Sequence, residues 1–72
     1  MASEILYKKI FQELLDGIRN GTYTPGSRLP SEMELAEQYS VSRITSKKAL
    51  EMLADRGLVF RQPGKGTFVM TE

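Results

Sequence analysis

The chain has 72 residues, 40% of them hydrophobic and 26% charged, with ten basic and nine acidic side chains and neither cysteine nor histidine. That length allows one small domain, stable by roughly 3–5 kcal/mol, and the two missing residue types exclude a disulfide framework, a zinc finger, thiol chemistry and histidine acid–base catalysis. No apolar run is long enough to span a membrane and Met1-Ala2-Ser3-Glu4 does not begin a secretory signal, so the chain is read as cytoplasmic.

Residues 4–20 carry the first helix. Tyr7, Ile10, Phe11, Leu14, Leu15 and Ile18 share an arc of roughly 140° at helical spacing, and Lys8, Lys9, Gln12, Glu13, Asp16 and Arg19 fill the remainder. Ser3 is the expected N-cap and Asn20-Gly21 the expected stop. Such a stripe marks a core-packing scaffold element. Thr24-Pro25-Gly26-Ser27 follows as a turn, because proline presets φ at its first central position and glycine supplies the positive φ of type II at its second. Arg28-Leu29 is then extended, since Pro30 disfavours helix in the residue before it; it is long enough for a very short strand.

Pro30 to Leu53 reads as two short helices joined by a tight turn. Ser31 followed three residues later by Glu34 forms a capping box, so a helix starts at Glu32, with Leu35, Ala36 and Tyr39 as its apolar stripe. Ser40-Val41 breaks the pattern. Ser42 caps a second helix from Arg43 to about Arg56, and Gly57 is a natural residue for its end. Within that helix Ser46, Ala49, Leu50 and Leu53 face a core, while Arg43, Ile44, Lys47, Lys48, Glu51 and Asp55 face outward. The outer cations sit toward the N-terminus and the acids toward the C-terminus. The helix macrodipole favours the reverse order, so the arrangement suits an N-terminal turn aimed at phosphates and base edges, as in the recognition helix of a helix-turn-helix protein.

After Gly57 the period changes. Leu58–Gln62 and Thr67–Met70 are rich in β-branched and aromatic residues, and Pro63-Gly64-Lys65-Gly66 lies between them as the four-residue tip of a hairpin. Two glycines leave that tip bare enough to approach a narrow surface. Helix, short strand, helix, helix, strand, strand is the order of a winged helix-turn-helix: three helices and a C-terminal hairpin wing, mainly α with a little β, in a single domain over residues 1–72. Charge divides along the chain, with four basic against six acidic residues before residue 40 and six against three from there on. A basic half carrying two contact elements is a nucleic-acid footprint.

Gly26-Ser27-Arg28-Leu29-Pro30-Ser31-Glu32, Leu35-Ala36, Val41-Ser42-Arg43, Ala49-Leu50, Gly57-Leu58-Val59 and Gly64-Lys65-Gly66-Thr67-Phe68-Val69 together resemble the DNA-binding domain of the GntR family of bacterial transcription regulators. The likeness runs from about Leu6 to Val69, and its two ends lean toward the HutC-type branch. The resemblance implies a module that reads double-stranded DNA at a palindromic operator, with the recognition helix in the major groove and the wing tip in the minor groove. It also implies a dimer on DNA and a C-terminal domain that takes a small-molecule effector. No such segment corresponds to it here, so the chain is expected to be either the excised operator-reading module of a metabolite-responsive repressor or a natural short protein, without cofactor and monomeric when isolated.

Carried over residue by residue, the resemblance makes Ser42 and Thr45 phosphate ligands, Arg43 a base reader, Lys47 a contact to phosphate or a base edge, and Gly64, Lys65 and Gly66 the minor-groove tip. Met33 stands where many members carry a basic residue, Lys47 where arginine is usual, Ser46 where an apolar residue is usual, and Pro63 is unusual at the wing. Arg43 is suited to guanine O6 and N7. Ile44 reaches a thymine methyl or packs partly against the preceding helix. Lys47 and Lys48 are phosphate contacts, Ser31 offers a phosphate an exposed edge, and Arg61 reaches the DNA backbone or decorates the hairpin. A winged helix that grips a protein partner is the competing reading. It expects exposed apolar residues on the outer face, where the candidates are Ile44 and Met52, among Arg43, Lys47 and Lys48. An enzyme is a poor third, since the acids form no catalytic pair.

Overall fold

The computed structural model describes residues 2–71, and side chains from Leu6 onward. Three helices and one antiparallel hairpin follow one another as α1 (Ala2–Arg19), α2 (Glu32–Tyr39), α3 (Arg43–Asp55), β1 (Val59–Gln62) and β2 (Gly66–Val69). No helix among the described residues is long and apolar enough to cross a membrane. α1 begins two residues before the expected start, so Ser3 lies within the helix; its side chain is outside the described residues.

Both ends of the helix-turn-helix unit are built as their residues dictate. Ser31 Oγ accepts from the Glu34 amide (3.1 Å) and Glu34 Oε1 accepts from the Ser31 amide (2.8 Å), which completes the capping box of α2. Ser40 then takes a left-handed conformation with φ 55°, and the Val41 amide donates back to the Ala36 carbonyl at 2.9 Å. That pair of bends turns the chain into Ser42, whose hydroxyl accepts from the Thr45 amide at 3.2 Å and opens α3. At the other end Gly57 (φ 74°) closes α3 with the Schellman pattern: its amide donates to Ala54 and that of Leu58 to Leu53.

The core is a single cluster in which Ile10 and Leu14 of α1 meet Leu35 of α2, Ala49, Leu50 and Leu53 of α3, Leu29, and Val59 and Val69 of the hairpin. Ser46, on the core side of α3, is wholly buried and its hydroxyl donates to the Ser42 carbonyl at 3.4 Å. The hairpin register is Val59 with Val69, Phe60 with Phe68, Arg61 with Thr67 and Gln62 with Gly66. Valines and Thr67 point inward, while Phe60 and Phe68 stack outside with ring centroids 5.8 Å apart. Because Gly66 pairs with Gln62, the tip is Pro63-Gly64-Lys65, one residue shorter than the sequence suggests.

The turn at residues 24–27 has the expected form, with Gly26 at φ 84° and the Ser27 amide donating to Thr24 at 3.0 Å. The short stretch after it forms a bridge between Arg28 and Phe68. The amides of Gly26 and Leu29 donate to Val69 and Thr67, and the Val69 amide donates to Ser27. β2 is therefore bonded on both edges, and the wing is anchored to the chain just before α2.

Candidate nucleic-acid interface

α3 presents its first turn to solvent because its opposite face, from Thr45 and Ser46 through Ala49 and Leu50, is buried. Arg43, Ile44, Lys47 and Lys48 are left outside, and Ile44 is 78% exposed. The wing tip rises beside this turn. Its Lys65 amide donates to the Gln62 carbonyl at 2.9 Å, and Pro63 followed by Gly64 (φ 78°) gives the tip the geometry of a type II turn.

Between the two elements lies an open concavity whose lining includes Arg28, Ser31, Glu32, Met33, Arg43, Arg61 and Lys65. Arg43 of the helix and Lys65 of the wing therefore share one face. A site open to solvent, with Arg28, Arg43 and Lys65 on its rim and Arg61 paired to Glu32 in its lining, suits a polyanion better than a small apolar ligand, which an enclosed pocket would serve.

Pairing sorts the cations into two kinds. Arg61 is bonded to the Glu32 carboxylate in the first turn of α2 and lies 3.8 Å from Glu51 of α3. It ties the wing to both helices, so it is neither mere decoration of the hairpin nor a cation left free for the DNA backbone: its charge faces Glu32 and Glu51. Arg28 faces Glu34 at 4.0 Å. Among the described residues, Arg43, Lys47 and Lys65 make no ion pair. The helix start and the wing tip thus keep their charge available.

The other expected contacts fall as follows. Ser42 is exposed at the start of α3, whereas Thr45 is buried, only 8% exposed, with its hydroxyl 3.0 Å from Ser42 Oγ. Thr45 supports the cap and has little surface for a phosphate. The Lys48 ammonium lies 4.6 Å from the centre of the Tyr7 ring, over α1, and is turned away from the concavity that Arg43 lines. Arg56 covers Phe11 in the same manner, at 5.0 Å. Ser31 is half-buried and committed to its cap. Hydrogen bonding to the Ser31 amide first and the Ser31 side chain second, with the nearby Arg28 charge, holds the Glu34 carboxyl below the usual range. Met33 is 52% exposed in the concavity, and Ile44 stands free rather than packed on α2. Gly64 has open space on the side where a Cβ would stand; Gly66 lies against Arg28.

Arg28 itself was not singled out by the sequence. Its position before Leu29-Pro30 predicts an extended backbone, but nothing local reveals that its side chain crosses to the wing, where Nε donates to the Lys65 carbonyl at 3.4 Å.

Comparison with known proteins bears on this surface directly. The family model described as "Bacterial regulatory proteins, gntR family" matches residues 6–69. The probable fructoselysine utilization operon transcriptional repressor of Escherichia coli K12 is 46% identical over 69 residues, 96% of this chain and 28% of the relative. The histidine utilization repressor of Klebsiella aerogenes is 44% identical over 63 residues, 88% of this chain and 26% of the relative. The chain thus spans little more than a quarter of these curated relatives. Among solved structures, the AraR DNA-binding domain in complex with operator ORX1 superposes with a TM-score of 0.86 at 38% identity, over 89% of this chain and 77% of that one.

Proposed function

The chain belongs to the gntR family of bacterial regulatory proteins, and from that premise we propose that it reads double-stranded DNA as a single winged helix-turn-helix module. The observation that carries the reading is the placement of unpaired cations: Arg43 and Lys47 at the start of α3 and Lys65 at the wing tip, with Arg43 and Lys65 around one open concavity. In this reading α3 enters the major groove. Arg43 reads a base edge, Ile44 contacts a thymine methyl, and Ser42 and Lys47 hold the flanking phosphates. Gly64 and Lys65 of the tip, with Gly66 at the start of β2, follow the minor groove. Thr45 serves by fixing the cap, and Lys48 is secondary unless it leaves Tyr7.

The relatives named as repressors and the AraR domain in complex with an operator support extending the reading to an operator-binding repressor module working in the cytoplasm. Two copies on a palindrome would each read one half-site. The effector of such a regulator is a small metabolite, held by a further domain.

Selection of bound duplexes from a random pool tests the proposal, followed by the same selection with Arg43→Ala. The parent enriches a consensus; the variant, with unchanged circular dichroism, binds DNA without one. A variant that enriches the parental consensus refutes the role of Arg43.

A further inference from the structure

We propose that Arg28 is a DNA-backbone contact that Glu34 holds in readiness, binding the phosphates that run between the two groove-reading elements. The inference rests on the DNA reading above and adds a residue and an exchange of partners to it.

The placement follows from the form of a duplex. A sugar-phosphate strand separates the major groove from the minor one, so a protein that enters both must straddle that strand. Arg28 lies in the concavity between the opening turn of α3 and the wing tip, on the rim shared with Arg43 and Lys65. Phosphate is the chemistry that such a position meets, and guanidinium is the side chain that binds it in bidentate fashion.

The bonding of Arg28 leaves it able to respond. Its side chain is 51% exposed, its Nη1 stands 4.0 Å from Glu34, and its Nε donates to the Lys65 carbonyl across 3.4 Å. All of these are at the long end of their ranges, and exposed pairs of this kind contribute little. Arg61 makes the contrast. It is less exposed, closely bonded to Glu32 and flanked by Glu51, and so it is held in place.

Glu34 can release Arg28 without harm to the fold. Its carboxylate is satisfied by the Ser31 amide at 2.8 Å, and its lowered pKa comes chiefly from hydrogen bonds with Ser31, with Arg28 the smallest contributor. The capping box therefore outlasts the departure of Arg28. The wing also leaves room for this side chain: a Cβ on Gly66 would sit 2.8 Å from Arg28 Nε.

The test measures affinity for a short random-sequence duplex by fluorescence anisotropy across a range of salt concentrations, for the parent, Arg28→Ala, Arg28→Lys, Glu34→Gln and the Arg28→Ala/Glu34→Gln double variant. Each phosphate contact contributes about 0.9 to the slope of log K against log salt. Arg28→Ala is expected to lower the slope by about that amount, and Arg28→Lys, which keeps the charge, to restore it. Glutamine also serves at the third position of a capping box, so Glu34→Gln keeps the helix start. It tightens binding in the parent and does so less in Arg28→Ala. An Arg28→Ala slope equal to the parent's overturns the contact. A lowered slope that Arg28→Lys fails to restore shows a strut for the wing, and also overturns it. An equal gain from Glu34→Gln in both backgrounds is the effect of one fewer negative charge and removes Glu34 from the proposal. A parent whose binding is indifferent to salt refutes the DNA reading itself, a result distinct from the others.

Discussion

Replacing Ser42 by aspartate moves stability and DNA binding in opposite directions. The two helix starts of the helix-turn-helix unit are both capped by serine, but only α2 carries acids in its first turn, Glu32 and Glu34. α3 has none there, and its first residues include Arg43 and Lys47. Aspartate caps a helix as well as serine does, and its carboxylate can accept from both the Thr45 amide and the Thr45 hydroxyl, which now meet Ser42 at 3.2 and 3.0 Å. A carboxylate at this end adds about 0.3–1 kcal/mol through the helix dipole. For a domain of this size that raises the melting temperature by about 1–8 °C. Against DNA the same carboxylate faces phosphate. At about 4 Å the repulsion is about 1 kcal/mol in water and about 4 at the effective dielectric of a protein surface, so affinity falls between about fivefold and several hundredfold. Thermal melts by circular dichroism and anisotropy titrations at two salt concentrations read both effects, and the binding loss shrinks at the higher salt. Unchanged affinity would show that the start of α3 does not face phosphate. A fall in melting temperature would show that the cap is not what positions it.

Leu50 is wholly buried in the core, so Leu50→Ala should cost about 3–5 kcal/mol, most of what a domain this small possesses; a melt within a few degrees of the parent's refutes the packing described. Lys65→Ala should leave the melt unchanged and lower the salt slope by about 0.9 on every sequence, whereas an unaltered slope removes the tip from the phosphate contacts. Burial and the hydrogen bond to Glu13 push the Tyr39 hydroxyl up to about 12. The neutral phenol is favoured in the folded state, so its contribution is complete below the ordinary value of 10.0 and is lost as pH climbs from there through about 12. Tyrosinate absorbance should show a group titrating near pH 12, and Tyr39→Phe should abolish it.

What the sequence disclosed was local, and what it withheld was distant. Ser31 with Glu34, Ser42, Gly57 and the Pro25-Gly26 turn each act within a few residues, and each is found where spacing put it. The apolar stripes of α1 and α3 likewise identify Ile10, Leu14, Leu50 and Leu53 as core, because helical periodicity alone selects that face. Arg28, Arg61 and Lys48 escaped the same reading. Arg61 finds Glu32 at a separation of 29 residues and Arg28 finds Lys65 at 37, and the ring beneath Lys48 belongs to α1. An exposed cation has no periodic signature that tells a free charge from one already engaged. The wing tip was misjudged by one residue because Gly66, at φ 128°, still pairs with Gln62.

The strand bonded on both edges also ties together parts of the chain that are far apart in sequence. The carbonyl of Ser27 accepts from the amide of Val69, which closes a loop of roughly 40 residues at an entropic cost of about 3 kcal/mol. The capped helices inside that loop are built from bonds close in sequence and require no such closure. The final strand gains its second neighbour when Ser27 meets Val69 and Leu29 meets Thr67. The platform that carries Lys65 thus depends on a long-range closure, and contacts of that kind are expected to form after the local ones.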